Sequence, residues 1–250
     1  MLLEVRNVSK SFGGLKALCD LSVTVSDNQV IGLIGPNGAG KSTFFNVVTG
    51  VYKPDNGQII FKDKSISGLA SHQIVKRGIA RTFQNIRLFS DMTALENVMV
   101  GRHCRTNSEL FAALLRTPVF KREEKDIEGA ACKWLDFVGL IKHCNDVVRN
   151  LSYGVQRRLE IARALATDPT LLLLDEPTAG MNPSECNDLV VLIRKIKASG
   201  ISVVIIEHRM NVVMSLSDNV VVLDYGVKLA EGKPSEVTAN PKVIEAYLGS

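Results

Sequence analysis

The feature that most limits how this chain can fold is a nine-residue segment between an apolar run and a helix-forming stretch. The segment matches the pattern GxxxxGK[ST], and its residues are Gly35, Pro36, Asn37, Gly38, Ala39, Gly40, Lys41, Ser42 and Thr43. Glycines allow backbone N–H groups to wrap closely around phosphate oxygens at a helix N-terminus, where the helix dipole favours anions. Because the apolar run Val30–Ile34 precedes the segment, the sequence predicts a phosphate-binding loop (the P-loop) between a strand and a helix.

Two residue types in this loop predict its chemistry. Lys41 is expected to neutralise the β- and γ-phosphates of a nucleotide. Ser42 is expected to offer its hydroxyl to Mg²⁺, which prefers oxygen ligands and keeps several waters.

A pair of acidic residues follows a second apolar run. Residues 171–174 are all leucine, and Asp175 and Glu176 come directly after them. Ligands of open α/β sheets bind at the carboxyl ends of the strands, so both carboxylates are expected at the ligand edge. There Asp175 is predicted to orient Mg²⁺ and its waters, and Glu176 to polarise the attacking water.

His208 follows the apolar run 201–206 in the same way and is predicted to lie at the same edge. Two interpretations remain open for it. Single histidines after strands are often structural, but this one could also reach a γ-phosphate.

The pattern of apolar residues predicts an α/β core. Residues 21–25 alternate apolar and polar, as in a half-buried antiparallel strand, and residues 2–8 are a weaker candidate of the same kind. Continuous apolar runs at 30–34, 171–174, 201–206 and 220–223 suit parallel strands buried on both faces. Helical stretches at 42–49, 155–166 and 184–198 alternate with these runs.

The middle and the end of the chain differ from this alternation. From about residue 91 to 150 there is no convincing buried strand, while 94–100 and 121–138 predict helices separated by a break at Thr117-Pro118. This part is therefore expected to be an inserted helical subdomain. Near the C-terminus, Asp224-Tyr225-Gly226 predicts a hairpin turn, and Ser235 is expected to open a final short helix.

Composition excludes several classes of protein. Thirty Lys and Arg against 26 Asp and Glu give a net charge of +4, too dispersed to indicate a nucleic-acid partner. No apolar run approaches the length that spans a membrane, and Glu4 and Arg6 precede any N-terminal apolar stretch, so no targeting segment is expected. The five cysteines form no CxxC pair and are expected to be reduced thiols. A zinc site is the weaker alternative, because its candidate ligands lack paired spacing; these are His103, Cys104, Cys132, His143 and Cys144.

Taken in order, the motifs resemble the nucleotide-binding subunit of ABC transporters over essentially the whole chain. They are the P-loop, RTFQ at 81–84, LSYGVQRR at 151–158, LLLLDEPT at 171–178 and Glu207-His208. The resemblance implies a P-loop NTPase (RecA-like) core with an N-terminal antiparallel β subdomain and an inserted α-helical subdomain. It places residues 91–159, including the signature motif, in the helical part of a single domain, and 1–90 and 160–250 in the β subdomain and core.

The same resemblance implies roles for individual residues. Phe12 would stack on the adenine of ATP, and Gln84 would link Mg²⁺ and the attacking water to the membrane subunit. Ser152 and Gly154 would belong to the signature motif, and His208 would be the switch histidine. Two subunits would pair head to tail, each signature closing over the ATP held by the other subunit's P-loop, and ATP would act as a switch between open and closed dimers.

Further segments resemble the ATPase subunits of branched-chain amino acid importers. They are FGGLKAL at 12–18, RTFQNIRLF at 81–89, ENVMV at 96–100, RRLEIAR at 157–163 and AYLG at 246–249, together with the length of the stretch 101–128. This resemblance implies import, a peripheral location on the cytoplasmic side of the membrane and integral-membrane permease partners. It also implies a second ATP-binding subunit, different or identical, and a substrate-binding receptor that acts indirectly; no nucleic-acid partner is implied.

Three positions depart from the common ABC pattern. The signature reads LSYGV where most relatives read LSGGQ, so that Tyr153 and Val155 replace Gly and Gln, and Asn182 stands where many relatives have Asp. Asn keeps hydrogen-bonding capacity at the same reach.

Other functions remain open as alternatives. One is a related transporter ATPase, for urea or amide uptake or for lipopolysaccharide export. Another is a soluble ABC ATPase of DNA repair or translation, which would usually show two cassettes or a long coiled-coil insertion. A P-loop kinase or GTPase is less suited, because it would not need Gln84, the signature and His208 in this order, and no Asn-Lys-x-Asp motif is present.

Overall fold

A computed structural model describes residues 1–105 and 118–248. The described residues form ten strands, numbered here in chain order. They are β1 (Leu3–Phe12), β2 (Leu15–Val25), β3 (Val30–Ile34), β4 (Asn56–Phe61), β5 (Lys64–Ser65), β6 (Ile79–Arg81), β7 (Leu171–Asp175), β8 (Ser202–Ile206), β9 (Asn219–Asp224) and β10 (Val227–Gly232).

Nine α-helices lie among the described residues. They are α1 (Lys41–Val48), α2 (Ser71–Arg77), α3 (Ala94–Arg102), α4 (Pro118–Phe137), α5 (Tyr153–Leu165), α6 (Pro183–Ala198), α7 (Met210–Leu216), α8 (Pro234–Thr238) and α9 (Pro241–Leu248). Short 3-10 turns occur at His103–Arg105, Ile141–His143 and Val148–Asn150. The three helices predicted around the core are confirmed as α1, α5 and α6.

The N-terminal strands form an antiparallel sheet in the order β2-β1-β4-β5. In β2 the side chains of Leu21, Val23 and Val25 are buried, whereas Thr24 between them is exposed. This alternation is the period-2 pattern of a strand that packs with one face on a core. The predicted N-terminal antiparallel sheet is confirmed.

A second sheet of six strands has the order β10-β9-β3-β8-β7-β6. Strands β9, β3, β8, β7 and β6 run parallel, and β10 returns antiparallel to β9 through the turn at Tyr225 and Gly226. The four predicted parallel strands and the predicted hairpin are confirmed. Strand β6 was not predicted, because three residues are too few to show a period.

Both faces of the parallel sheet are covered, which explains the unbroken apolar runs. Leu171 and Leu173 of β7 belong to the apolar cluster that the antiparallel sheet shares. Leu172 and Leu174 belong to the cluster formed with the helices on the other face. A strand buried on both faces needs apolar residues at every position. Because these strands run parallel, the polar residues that follow them meet at the same edge of the sheet.

The region between residues 91 and 150 is helical in the part that the structure describes. Helices α3, α4 and α5 pack on one another. Among the described residues of this region, the only pairing of β type is an isolated bridge between Thr93 and Val147. Thr93 caps α3, since its Oγ1 accepts from Glu96 N at 3.2 Å while Glu96 Oε2 accepts from Thr93 N at 2.7 Å. The predicted helices are confirmed as α3 and α4. Of the predicted break, Thr117 lies outside the described residues and Pro118 begins α4.

The C-terminal prediction needs a correction. The short helix α8 begins at Pro234 rather than Ser235, and it is not the last helix, because α9 follows it. Proline suits the first helical position, since its missing N–H would have no partner there, and this preference outweighs the N-cap preference of serine. Val237 of α8 and Val243 of α9 pack against Ile34 at the end of β3.

None of the helices in the described ranges combines the length and the apolar character needed to cross a membrane. The longest, α4, has 20 residues and contains the charged run KREEKD.

Candidate active site

The P-loop joins β3 to α1 at the carboxyl edge of the parallel sheet. Gly40, the residue before α1, has φ 98°, and a Cβ there would lie 2.5 Å from the carbonyl oxygen of Ala17. At Gly35 a Cβ would lie 2.1 Å from the carbonyl oxygen of Leu223. Only glycine fits at either position, so the neighbouring backbone fixes the path of the loop.

The Lys41 side chain is buried beneath this loop. Its Nζ donates to the carbonyl oxygens of Gly35 at 2.7 Å and Pro36 at 2.8 Å. Burial lowers the pKa of Lys41, while the negative charges of Glu176 and Asp175 act in the opposite direction. The ammonium group is thus held by acceptors and negative charge at the base of the P-loop.

The side chain of Tyr247, in helix α9, also reaches the P-loop. Tyr247 in α9 is hydrogen-bonded to the backbone of Gly35. Burial raises the pKa of the Tyr247 hydroxyl, and the hydrogen bond with Gly35 lowers it in part. This contact ties the C-terminal helix to the first residue of the loop.

A cavity of about 410 Å³ opens above the P-loop. Many of the predicted site residues line it, namely Phe12, Asn37, Gly38, Ala39, Gly40, Lys41, Ser42, Thr43, Gln84, Glu176 and His208. These residues come from distant parts of the sequence, and the fold brings them to one place. The cavity is therefore the candidate active site.

Glu176 lies at the centre of the polar groups in this cavity. Its Oε2 accepts from Gln84 Nε2 at 3.1 Å, and its Oε1 lies 3.0 Å from His208 Nε2. Because an ionised carboxylate only accepts hydrogen bonds, the proton of this second pair is assigned to His208 Nε2. Two side chains from separate segments therefore fix the orientation of the carboxylate.

Asp175 does not line the cavity. Its side chain is almost fully buried, and Oδ2 accepts from Arg81 Nη2 at 2.7 Å. Arg81 also donates from Nη1 to Asn46 Oδ1 of α1 at 2.6 Å. Sequence reasoning missed this role of Arg81, because nothing in the spacing of 94 residues indicates that it meets Asp175.

Phe12 forms an aromatic wall at the mouth of the cavity. The ring of Tyr52 meets it edge-on, with centroids 5.0 Å apart and an interplanar angle of 71°. Lys10 Nζ lies 5.5 Å from the Phe12 centroid and forms an ion pair with Asp55 at 2.6 Å. These contacts fix the ring while leaving it 41% exposed, so that a face remains available for stacking.

The signature residues are not brought to this cavity within one chain. Ser152 is exposed at the N-terminus of α5, and its side chain makes no capping hydrogen bond. Gly154 is buried against α6, and a Cβ there would lie 2.7 Å from Glu185 Oε1. The Ser152 hydroxyl is therefore available to another molecule.

Sequence reasoning also missed some residues at the cavity. Tyr225, in the β9–β10 turn, lines the cavity with 84% of its surface exposed, and Leu15, Lys16 and Ala17 line it as well. The turn signal at Tyr225 was visible in the sequence, but its position beside the P-loop depends on the pairing of β3 with β9.

Among residues 1–105 and 118–248, no cluster of three or more His, Cys, Asp or Glu side chains could hold a metal ion by itself. His143, one of the alternative zinc ligands, instead lies 2.7 Å from Asp146 through Nδ1.

A phosphate-binding loop, an oriented carboxylate and a histidine at the carboxyl edge of a parallel sheet define a P-loop nucleotide-binding protein. The family model described as ABC transporter matches residues 18–179, and that described as branched-chain amino acid ATP-binding cassette transporter matches residues 227–250. The chain belongs to the ABC transporter family as one of its ATP-binding proteins.

Curated relatives match the chain over its full length. The high-affinity branched-chain amino acid transport ATP-binding protein BraF of Pseudomonas aeruginosa is 47% identical, over 99% of this chain and 98% of BraF. LivG of Escherichia coli K12, which carries the same description, is 44% identical, again over 99% and 98% of the two chains.

Solved structures share the fold. A nucleotide-free ATP-binding cassette from an ABC transporter has a TM-score of 0.87 at 36% identity and covers 100% of this chain and 99% of its own. A dimeric cassette in a post-hydrolysis state, bound to ADP and Pi, has a TM-score of 0.78 at 25% identity, over 93% of this chain and 99% of its own. The predicted ABC ATPase fold is confirmed.

Proposed function

We propose that this chain hydrolyses ATP to energise the uptake of branched-chain amino acids through a membrane complex. The observation that carries the hydrolysis is the Glu176 carboxylate, held by Gln84 and His208 in the cavity above the P-loop. The cargo rests on the relatives BraF and LivG, which match the chain from end to end. The direction of transport rests on the resemblance of its sequence segments to importer ATPases.

The first step is binding of the nucleotide. Phe12 stacks on the adenine, and the backbone N–H groups of the P-loop face the phosphate oxygens. Lys41 exchanges a carbonyl acceptor for a β- or γ-phosphate oxygen, so its positive charge meets the negative charge of the triphosphate. These contacts supply affinity without requiring hydrolysis.

The donor set in the cavity suits Mg²⁺. Ser42 and Gln84 both line the cavity and offer neutral oxygens, and the carboxylate of Asp175 lies behind it. Ser42 and Gln84 would hold the ion directly. Asp175, behind the cavity lining, would orient the waters bound to the ion. Bound Mg²⁺ neutralises charge that develops on the phosphate oxygens.

Glu176 acts as the general base of the reaction. Its carboxylate orients and polarises the water that attacks the γ-phosphorus, and Gln84 and His208 keep the carboxylate in place. His208 also reaches toward the γ-phosphate and responds to its release. Because little covalent chemistry is asked of the protein, most of the rate acceleration comes from positioning and charge.

Two chains, or this chain and a related one, complete each site. Ser152 and the backbone near Gly154 contact the γ-phosphate bound to the partner's P-loop, since the exposed hydroxyl at a helix N-terminus suits an anion. The similarity to a dimeric cassette with ADP and Pi supports this arrangement. ATP closes the dimer, and loss of the γ-phosphate opens it.

The chain works on the cytoplasmic face of the membrane as a peripheral subunit. Its partners are integral-membrane permeases, a second ATP-binding subunit and, indirectly, a substrate-binding receptor. We assign residues 91–159 to a helical subdomain that contacts the permeases, and residues 1–90 and 160–250 to the β subdomain and the ATP-binding core.

A gene replacement tests the cargo. In cells lacking the gene, uptake of labelled leucine, isoleucine and valine is expected to fall and to return with the intact gene but not with Glu176→Gln. Uptake of labelled urea, short amides and lysine serves as the specificity control. Loss of urea or amide uptake with normal leucine uptake would favour the alternative transporter ATPase, and a lipopolysaccharide defect with normal uptake would favour an exporter.

A further inference from the structure

The Gln84 loop is fastened to the signature helix α5 by a buried arginine. Arg157 has no exposed surface, and its Nη1 donates to the carbonyl oxygen of Phe83 at 2.6 Å. Its Nη2 donates to the carbonyl oxygen of Gln84 at 2.7 Å and to the Tyr153 hydroxyl at 2.9 Å. One guanidinium thus joins the loop to the third residue of the signature.

Glu160 lies one turn further along α5 and binds N–H groups of the same loop, whereas Arg157 binds its carbonyl oxygens. Its Oε2 accepts from Arg157 Nη1 at 3.0 Å, and its Oε1 faces the backbone N–H groups of Phe83 at 3.3 Å and Arg87 at 3.4 Å. Burial raises the pKa of Glu160, and the positive charge of Arg157 opposes this. Two adjacent side chains of one helix therefore bind both donors and acceptors of the loop backbone.

This arrangement is costly for stability alone. Both charged groups are removed from water, and Arg157 Nε is buried without a hydrogen-bond partner among the described residues. Replacing a buried ion pair by apolar residues of similar volume is often neutral or stabilising, so the pair is poorly explained as a source of stability. Its directional hydrogen bonds instead specify one geometry of the loop relative to the helix.

We propose that Arg157 is a positioning residue that makes the signature motif and Gln84 move as one body. This proposal rests on the proposed function. When the partner's ATP draws Ser152 and Tyr153 in, α5 carries the Gln84 loop with it and sets the approach of Gln84 to Glu176, 3.1 Å in this structure. The signature therefore acts on its own chain's catalytic carboxylate as well as on the partner's nucleotide. Tyr153, which departs from the common glycine, supplies the hydroxyl that joins the signature to Arg157.

The experiment removes the connection while keeping the core apolar. The double variant Arg157→Met/Glu160→Leu leaves no charge unpaired in the core, although the Phe83 and Gln84 carbonyls lose their donors. It is therefore expected to fold and to melt close to or moderately below the parent. Its kcat for ATP hydrolysis is expected to fall about tenfold, with KM for ATP within about twofold, because Phe12 and the P-loop, which supply the nucleotide affinity, are unchanged. Amide exchange at residues 83–87 is expected to accelerate.

Tyr153→Phe tests the same connection without touching the core. It removes one hydroxyl from a side chain that is 43% exposed, so folding is unaffected, and kcat is expected to fall about threefold at constant KM. Arg149→Met, which removes an exposed ion pair with Asp91, is the control and is expected to leave kcat unchanged.

Parental kcat in both the double variant and Tyr153→Phe, while Glu176→Gln is inactive, would overturn this inference and leave the proposed function intact. A parent chain without ATPase activity, alone and with its partner subunits, would overturn the proposed function and the inference together. A fall in kcat only in proportion to a lower melting temperature would identify a structural role and would also overturn the inference.

Discussion

His208 Nε2 lies 3.0 Å from Glu176 Oε1, although the two residues follow different strands of the parallel sheet. The backbone of Glu176 has φ 46°, a left-handed conformation that residues other than glycine rarely adopt. Holding a non-glycine residue there costs roughly 1 kcal/mol or more. A glycine would relieve this strain but would remove the carboxylate that Gln84 and His208 contact.

Glu176→Gln is expected to lower the rate of ATP hydrolysis about 10²-fold or more, because the amide cannot accept a proton from water. ATP binding should persist, since the P-loop is unchanged. ATP-dependent dimers should then accumulate, alone or with the partner ATPase, and be absent with ADP. Hydrolysis assays and size-exclusion chromatography measure both effects.

The matched control is Glu124→Gln, at an exposed position of α4. It should leave hydrolysis and dimerisation unchanged. Near-normal turnover in Glu176→Gln would exclude this residue as the base, and a monomer in every nucleotide condition would contradict the sandwich dimer.

Lys41→Ala is expected to weaken ATP binding about tenfold or more, which corresponds to roughly 1.4 kcal/mol. The reason is the loss of the ammonium group held at the base of the P-loop. Titration with a fluorescent ATP analogue measures the change, with the exposed Lys125→Ala as the control. An unchanged ATP affinity in folded Lys41→Ala protein would contradict the assignment of the P-loop as the ATP-binding site.

Ser152→Ala is expected to abolish most ATPase activity of the dimer while leaving the melting temperature unchanged. Its hydroxyl is exposed and makes no capping hydrogen bond, so the fold does not depend on it. Val155 cannot supply the polar contact of the common glutamine, and contact with the nucleotide should rest on Ser152 and the backbone near Gly154. Normal transport in Ser152→Ala, together with much faster hydrolysis in Val155→Gln, would reverse this assignment.

The buried pair in α5 predicts a pH dependence of stability. Burial raises the pKa of Glu160 above its unfolded value, so the folded chain binds more protons than the unfolded chain as the pH rises above about 4.5. Stability from this group is therefore present at low pH and lost as the pH rises through the folded pKa. Arg157→Met removes the opposing charge, and we expect this variant to lose more stability from pH 5 to pH 8 than the parent. Thermal unfolding at several pH values tests this, and equal slopes for Arg157→Met and Arg157→Met/Glu160→Leu would contradict it.

Asn182 is the N-cap of α6. Its Oδ1 accepts from Glu185 N at 3.0 Å, and Glu185 Oε2 accepts from Asn182 N at 2.9 Å. Asn182→Ala is expected to cost about 1 kcal/mol of unfolding free energy, whereas Asn182→Asp keeps the cap and should be neutral or slightly stabilising. Chemical denaturation measures both. An unchanged free energy of unfolding in Asn182→Ala, or an equal loss in Asn182→Asp, would contradict this assignment of the cap.

The sequence was sufficient for the parts of the fold that have a strong local signal. The P-loop could be predicted because its glycines, Lys41 and flanking strand are contiguous, and the strands of the parallel sheet because they are buried on both faces. Short helices and strands span too few residues to show a hydrophobic period. For this reason β6 was not predicted and α9 was not distinguished from α8.

Tertiary pairings could not be predicted in the same way. Arg81 meets Asp175, and Arg157 meets the Gln84 loop, only because strands and helices distant in sequence pack side by side. The role of Gln84 came from the resemblance, whereas the strand before His208 already placed it at the ligand edge beside Glu176. The contacts of both residues with the Glu176 carboxylate are visible only in the folded chain.

The hydrogen bond between Tyr247 and the backbone of Gly35 can form only after the C-terminal helix α9 has been synthesised. During translation Gly35 leaves the ribosome more than two hundred residues before Tyr247. The loop is thus among the first functional segments to emerge and among the last to acquire all its contacts. A nascent chain that stalls before α9 would carry the whole P-loop sequence without this final tie.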